Sequence, residues 1–295
     1  MKAPLDRNVR GALWILASAV CFTLMTTLIK GLARYPAPLQ TFYSAMATLI
    51  VLSPIILRSP RKAFATTRPV LLIGRSALSA GGLTLAYYSY QHLPMAQANA
   101  LSFTRALWIA PLAALLLQDK MGWVRAGALV VGFAGVLLVV QPDAGAPLGW
   151  AHLAAVLSAL MLALTVTGIK ALTRTNSATV ILSWSAVLGA VFTAPGALLN
   201  WRWPALTDLA LLGLMGLSSV GAQICYIRGM AVGDASAMAP VDYVRLILAV
   251  VIGAALFHEF PGVLAYVGMG LIVLSTGYVA LRQRVVVAAT QTSPP

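Results

Sequence analysis

With 295 residues, 60% of them apolar and only 9% charged, the chain has too few charges to wet the surface of a soluble fold. Its formal net charge of +13 does not indicate a nucleic-acid partner, because the basic residues fall in short groups between apolar runs, such as Arg58, Arg61, Lys62 and Arg68. That placement orients a membrane protein and leaves no contiguous basic surface for a phosphate backbone.

Taken in chain order, Lys2, Arg7 and Arg10 precede a first apolar run, Gly11–Ile29. This run is too long for the core of a cleaved signal and reads as a first transmembrane helix. Nine more spans follow: Tyr35–Leu57, Pro69–Gln91, Leu93–Gln118, Ala126–Pro142, Ala144–Ile169, Thr175–Trp201, Leu209–Ile227, Ala235–Phe257 and Phe260–Leu281. Each is near the ~20 residues needed to cross a bilayer as a helix. They are too long and too uniformly apolar for barrel strands, which alternate polar and apolar residues. Prolines mark the boundaries at Pro36, Pro38, Pro69, Pro94, Pro142, Pro147, Pro204 and Pro261. The two cysteines, Cys21 and Cys225, lie inside apolar runs and form no disulfide framework.

Ten spans place both termini on one side. Most lysines and arginines outside the spans fall there: both tails, the stretch from Arg58 to Arg68, Lys120, Arg125, Lys170, Arg174 and Arg228. Only Lys30, Arg34 and Arg202 fall opposite. The positive-inside rule therefore puts both termini in the cytoplasm of an inner (plasma) membrane protein.

Shifting the sequence by 140 residues aligns its halves. Ser18 meets Ser158, Thr27 meets Thr167, Lys30 meets Lys170 and Arg34 meets Arg174. Ser79 meets Ser219, Arg105 meets Arg245, and Asp119 meets Glu259. Apolar matches come easily in such a chain; polar matches at one fixed offset do not. The halves are read as 1–141 and 142–295. Five spans each is odd, so the two insert with opposite orientation, an arrangement that puts a substrate site near the midplane between them.

Two further segments end the fourth and ninth spans. Leu115-Leu116-Leu117-Gln118-Asp119 precedes Gly127, Gly132 and Gly135, and Ala255-Leu256-Phe257-His258-Glu259 precedes Gly268, Gly270 and Gly277. With these the chain resembles the drug/metabolite transporter superfamily, and within it the EamA-type ten-helix exporters. The resemblance implies an all-α polytopic membrane protein with two inverted five-helix repeats around a central cavity, lined mainly by the third, fourth, eighth and ninth helices. It also implies export of small metabolites, with amino acids, aromatic ones included, as the leading substrates and multidrug or cationic-compound efflux as the alternative. Arg105 and Arg245 depart from the apolar middle that many members have in those helices.

Both arginines lie roughly 15 Å deep by helix rise. Ionised groups at such depth are functional candidates, because they are costly unless they face protein or water. Asp242, three residues before Arg245, shares its face. In one reading the arginines hold a substrate carboxylate and Asp242 faces an amino group; in the other these charges only pin helices together. Asn99, Ser102, Thr84 and Tyr88 in the first half, with Ser219, Gln223, Tyr226 and Tyr243 in the second, complete the candidate substrate-binding set. Arg75 lies nearer its span end and can snorkel. Asp119 and Glu259 read as caps or loop ion pairs, and the glycines of the fifth and tenth spans as sites of internal packing or of a dimer seam.

An intramembrane enzyme is not expected. No Lys is followed by Ser or Thr as in a phosphate-binding loop, His258-Glu259 lacks the second histidine of a zinc protease, and Asp242 is the lone carboxylate at depth. A passive channel would show a ring of like charges or a carbonyl filter, and neither is visible. No cofactor or metal is expected. The expected partners are a small-molecule substrate and membrane lipids, with the protein a monomer or homodimer.

Overall fold

The computed structural model describes residues 4–117, 123–140, 149–172, 176–232, 238, 241–275 and 278. Among these there is no strand. The first half folds as α1 (Pro4–Gly31), α2 (Ala37–Arg58), the single turn α3 (Pro60–Ala63), α4 (Pro69–His92), α5 (Met95–Phe103), α6 (Arg105–Leu117) and α7 (Trp123–Val140). The second follows as α8 (Trp150–Leu172), α9 (Ala178–Leu199), α10 (Leu206–Val232), α11 (Val244–Phe257) and α12 (Val263–Ser275).

Helices α1, α2, α4, α9 and α10 are each long and apolar enough to cross a bilayer alone, and α7, α8, α11 and α12 hold shorter apolar stretches. Leu13 (60% exposed), Ile50 (68%) and Leu199 (86%) point outward. Water would penalise such a surface, whereas lipid matches it. Prolines stand at the helix boundaries as expected. Pro69 opens α4, and Pro94 stands as the N-cap residue of α5.

The fourth and ninth spans are not single straight helices. Thr104 separates α5 from α6, and Tyr243 separates the helical residues 241–242 from α11. Both breaks remain in the right-handed region, at φ −61°, ψ −16° for Thr104 and φ −70°, ψ −11° for Tyr243. Tighter turn hydrogen bonds cover the lost rungs: Leu107 N–H to Thr104 O and Leu246 N–H to Tyr243 O, each 2.9 Å. The Thr104 hydroxyl also bonds back to Leu101 O (2.6 Å). A run of apolar residues gives no local sign of such a turn.

The packing obeys the internal repeat. Offsetting by 140 residues maps α1 onto α8, α2 onto α9, α4 onto α10, α5–α6 onto α11 and its preceding turn, and α7 onto α12. Under that mapping, the α1–α10 contact becomes α8–α4, α2–α10 becomes α9–α4, and α6–α8 becomes α11–α1; all six occur. The pair α2–α9 maps onto itself and also touches, and α5 packs on α11 across the two halves. So do α7 and α12. Their backbones meet where a Cβ on Gly135 would lie 2.8 Å from Gly268 O, and one on Gly268 2.6 Å from Gly135 O. Gly132, Gly135 and Gly268 are thus used inside the protomer, as close helix approach requires. Gly127 has nothing within 4 Å of its Cβ position.

Contacts at the helix ends agree with ten crossings. Groups placed opposite the termini meet one another: Arg34 and the Tyr35 hydroxyl both bond the buried Asp208 carboxylate, and Arg202 donates to Arg34 O (2.9 Å). On the side of the termini, Thr66 bonds Asn176 (2.7 Å) and the Trp184 indole donates to Phe64 O (3.3 Å).

Candidate functional site

The two arginines of the repeat stand at the two helix breaks, Arg105 as the first residue of α6 and Arg245 as the second of α11. The Arg245 guanidinium lies over the Phe103 ring at 3.9 Å and over the Phe22 ring at 4.9 Å. Its Nη2 stands 3.8 Å from the Asp242 carboxylate, a long ion pair at i,i+3 spacing. The Arg245 Nε is buried and finds no partner among the described residues. Phe103 also packs on Tyr243 (5.0 Å between centroids) and Phe22 on Tyr90 (6.2 Å), which closes an aromatic wall round the guanidinium.

Arg105 differs. Among the described residues it makes no hydrogen bond and no ion pair, and the groups acting on its charge are Arg245, Tyr226, Asp242 and Tyr90. Two guanidinium charges therefore face one carboxylate. Desolvated cations of this kind call for an anion, and a bound substrate can supply it. Tyr226 is 39% exposed, and Gln223, on the same strip of α10, is also exposed.

The other expected residues distribute as follows. Ser102, on α5, donates to Asn99 O (2.7 Å) and lies beside the buried Tyr90 hydroxyl. Asn99 is 1% exposed; its amide donates to Met95 O (2.9 Å), and its Oδ1 lacks a partner among the described residues. Ser219 lies beside the Tyr87 hydroxyl, which itself donates to Ser44 (2.9 Å). Thr84 bonds Ala80 O in its own helix (2.9 Å), and the Tyr88 ring stacks on His92 (4.1 Å). The structure thus gathers Arg105, Arg245, Asp242, Tyr226, Tyr243 and Ser102. Thr84 and Tyr88 are engaged elsewhere on α4. Arg75 donates to Ser185 (2.5 Å) and ties α4 to α9.

Phe22, Tyr90 and Phe103 surround this cluster although charge and depth do not single them out. A signal was present: Phe103-Thr104-Arg105 and Tyr243-Val244-Arg245 are one aromatic-x-Arg pattern at the 140-residue offset.

A second feature sits above the site, opposite the termini. Helix α11 ends at His258 in the left-handed region (φ 55°, ψ 37°), which bends Glu259 back so that its N–H bonds Gly253 O (3.0 Å). One Glu259 oxygen then accepts from Met95 N–H (2.7 Å), capping the start of α5 where a negative charge suits the helix dipole. The other oxygen pairs with Lys30, which also donates to Leu93 O (2.6 Å). Glu259 is thus both cap and ion-pair partner, joining α1 and α5 of one half to the α11–α12 turn of the other. Below it, Met95, Ala98, Ala100 and Leu101 are no more than 1% exposed, so α5 is tightly packed between this ion pair and the arginines. Asp119, the counterpart of Glu259 in the repeat, lies outside the described residues.

Comparison with known proteins agrees with this architecture. The EamA-like transporter family matches twice, over residues 9–141 and 149–281. An S-adenosylmethionine uptake transporter of Rickettsia prowazekii is 26% identical over 288 residues, covering 96% of this chain and 97% of that protein. A riboflavin transporter of Rhizobium johnstonii is 28% identical, covering 93% and 92%. A pseudopaline exporter, CntI, of Pseudomonas aeruginosa is 24% identical, covering 92% and 96%. One solved crystal structure, 18% identical, aligns over 99% of this chain and 100% of its own with a TM-score of 0.60, a likeness of fold. Two family matches on an all-helical, internally repeated frame leave one conclusion: the chain belongs to the EamA-like transporter family, integral membrane proteins that move small molecules.

Proposed function

We propose that this transporter carries small organic molecules bearing a carboxylate, with α-amino acids that have an aromatic group as the lead class, and that Arg105 and Arg245 hold the carboxylate. The observation behind this reading is the half-buried Arg105 without an ion-pair or hydrogen-bond partner among the described residues, beside a second guanidinium already walled by Phe22 and Phe103. In this reading Asp242 meets an amino group and the aromatic wall meets a ring. S-adenosylmethionine, for which some relatives are named, falls in the same chemical class: an α-amino acid with an adenine ring. Riboflavin has the flat ring without the carboxylate, so it makes an informative comparison.

Transport follows from the repeat. The units 1–141 and 142–295 rock about the α2–α9, α5–α11 and α7–α12 contacts, opening the site to either side in turn. With both termini cytoplasmic, the Lys30–Glu259 latch closes the far side, and the direction of net flux follows the substrate gradient. Relatives named for uptake and for export share this frame.

The test is counterflow into liposomes preloaded with candidate substrates. Phenylalanine, tryptophan and S-adenosylmethionine should exchange, and phenethylamine, which lacks the carboxylate, should not. Exchange of phenethylamine or cationic dyes at rates equal to phenylalanine would instead support drug efflux by the same fold.

A further inference from the structure

We propose that a groove between α4 and α8, on the side of the termini, is a binding site for the phosphate headgroup of an anionic phospholipid. The groove has a volume of about 750 Å³ and lies away from the arginine pair. Its upper rim is Thr67, Arg68 and the start of α4 with Val70; its lower wall is Leu78 and Leu164, with Arg75 between the two levels.

The chemistry is that of an anion held at a membrane boundary. Arg68 is exposed, and its side chain has no partner among the described residues. Arg75 spends one nitrogen on Ser185, while its buried Nε finds no acceptor among the described residues. No side chain caps the start of α4, so its first N–H groups also face the rim. Arg75 stands about 9 Å along the helix from Pro69, so the groove runs from headgroup level into the acyl region. Leu78 and Leu164, deeper than Arg75, are apolar, which suits an acyl chain and not a water-soluble anion. Thr66 and Phe64, bonded to Asn176 and Trp184, hold the linker that forms the rim. The positive-inside rule assigns this face to the cytoplasmic leaflet, where anionic lipids attract juxtamembrane arginines. An anionic phospholipid fits both levels; free phosphate fits only the rim.

The test uses the full chain, purified and delipidated in a neutral detergent and examined by native mass spectrometry. Phosphatidylglycerol should bind wild type at concentrations at least about tenfold below phosphatidylcholine. Arg68→Gln, a change at an exposed side chain that leaves the fold intact, should narrow that preference about fivefold, and Arg68→Gln with Arg75→Gln should abolish it. Arg61→Gln with Lys62→Gln removes two nearby charges outside the groove and should leave the preference in place. Equal binding of the two lipids to wild type would overturn the assignment, as would an unchanged preference in Arg68→Gln. So would an equal loss in the Arg61/Lys62 variant, or displacement of phosphatidylglycerol by millimolar inorganic phosphate.

Discussion

Replacing Glu259 by Gln tests whether the latch opposite the termini holds one state of a transport cycle. Gln keeps an oxygen for Met95 N–H but removes the charge that faces Lys30. The Lys30 and Glu259 side chains are only 13% and 16% exposed, so solvent screens the pair weakly. A hydrogen bond to a charged group contributes about 1.5–3 kcal/mol, and the closed state alone makes this one. Losing about 2 kcal/mol shifts the closed-to-open ratio by roughly thirtyfold, at about 1.36 kcal/mol per tenfold. The readout is a single cysteine at Ser102, with Cys21 and Cys225 replaced by Ala, exposed to a membrane-impermeant maleimide from the side opposite the termini. Labelling in Glu259→Gln should rise by roughly ten- to thirtyfold over the parent. Adding Lys30→Gln should recover part of the closed state by removing the stranded ammonium. Unchanged labelling in a folded Glu259→Gln protein would refute the latch.

Other expected outcomes follow from particular contacts. Gly135→Ala should lower the melting temperature in detergent, because its Cβ would lie 2.8 Å from Gly268 O, an overpacking cost of about 1–3 kcal/mol; Gly127→Ala, in open space, should leave it unchanged. Phe103→Ala removes a ring 3.9 Å from the Arg245 guanidinium and should raise the substrate half-saturation concentration several-fold, up to ~30-fold for a desolvated cation–π contact of ~2 kcal/mol, while Phe103→Tyr restores it. In the α1–α2 turn, the hydrogen bond to Asp208 pushes the Tyr35 phenol above the ordinary tyrosine range. That tie therefore contributes fully below about pH 10 and is lost as pH rises through the raised value. Ultraviolet titration of wild type minus Tyr35→Phe should show one phenol ionising late, and a difference spectrum centred near pH 10 would contradict this.

Much of the frame was legible because a bilayer constrains sequence strongly. Length and apolarity alone marked the spans, and polar matches such as Lys30 with Lys170 and Arg105 with Arg245 revealed the repeat that helix packing then obeys. The breaks at Thr104 and Tyr243 were not legible, since neither carries Pro or Gly and both keep ordinary dihedrals. Charge at depth singled out Arg105, Arg245 and Asp242, which the fold brings together. Phe22, Tyr90 and Phe103 escaped notice because aromatic residues in an apolar span read as lipid-facing or core until their neighbours are known. Helical spacing brought Tyr226 to the arginines, while Tyr88 went to His92, a choice set by the local rotation of α4 and not by composition. The latch role of Glu259 depended on the left-handed turn at His258, which a His-Glu pair at a span end does not announce.

The most direct test of the central claim, a substrate carboxylate held between two arginines, is counterflow of labelled phenylalanine and S-adenosylmethionine in liposomes containing wild type, Arg105→Ala or Arg245→Ala, with folding checked by gel filtration. Wild type should exchange both, and each variant should lose at least about tenfold, as expected when a charge-assisted bond of about 1.5–3 kcal/mol is removed. Equal exchange in all three proteins would contradict it and leave the arginines as fasteners between helices.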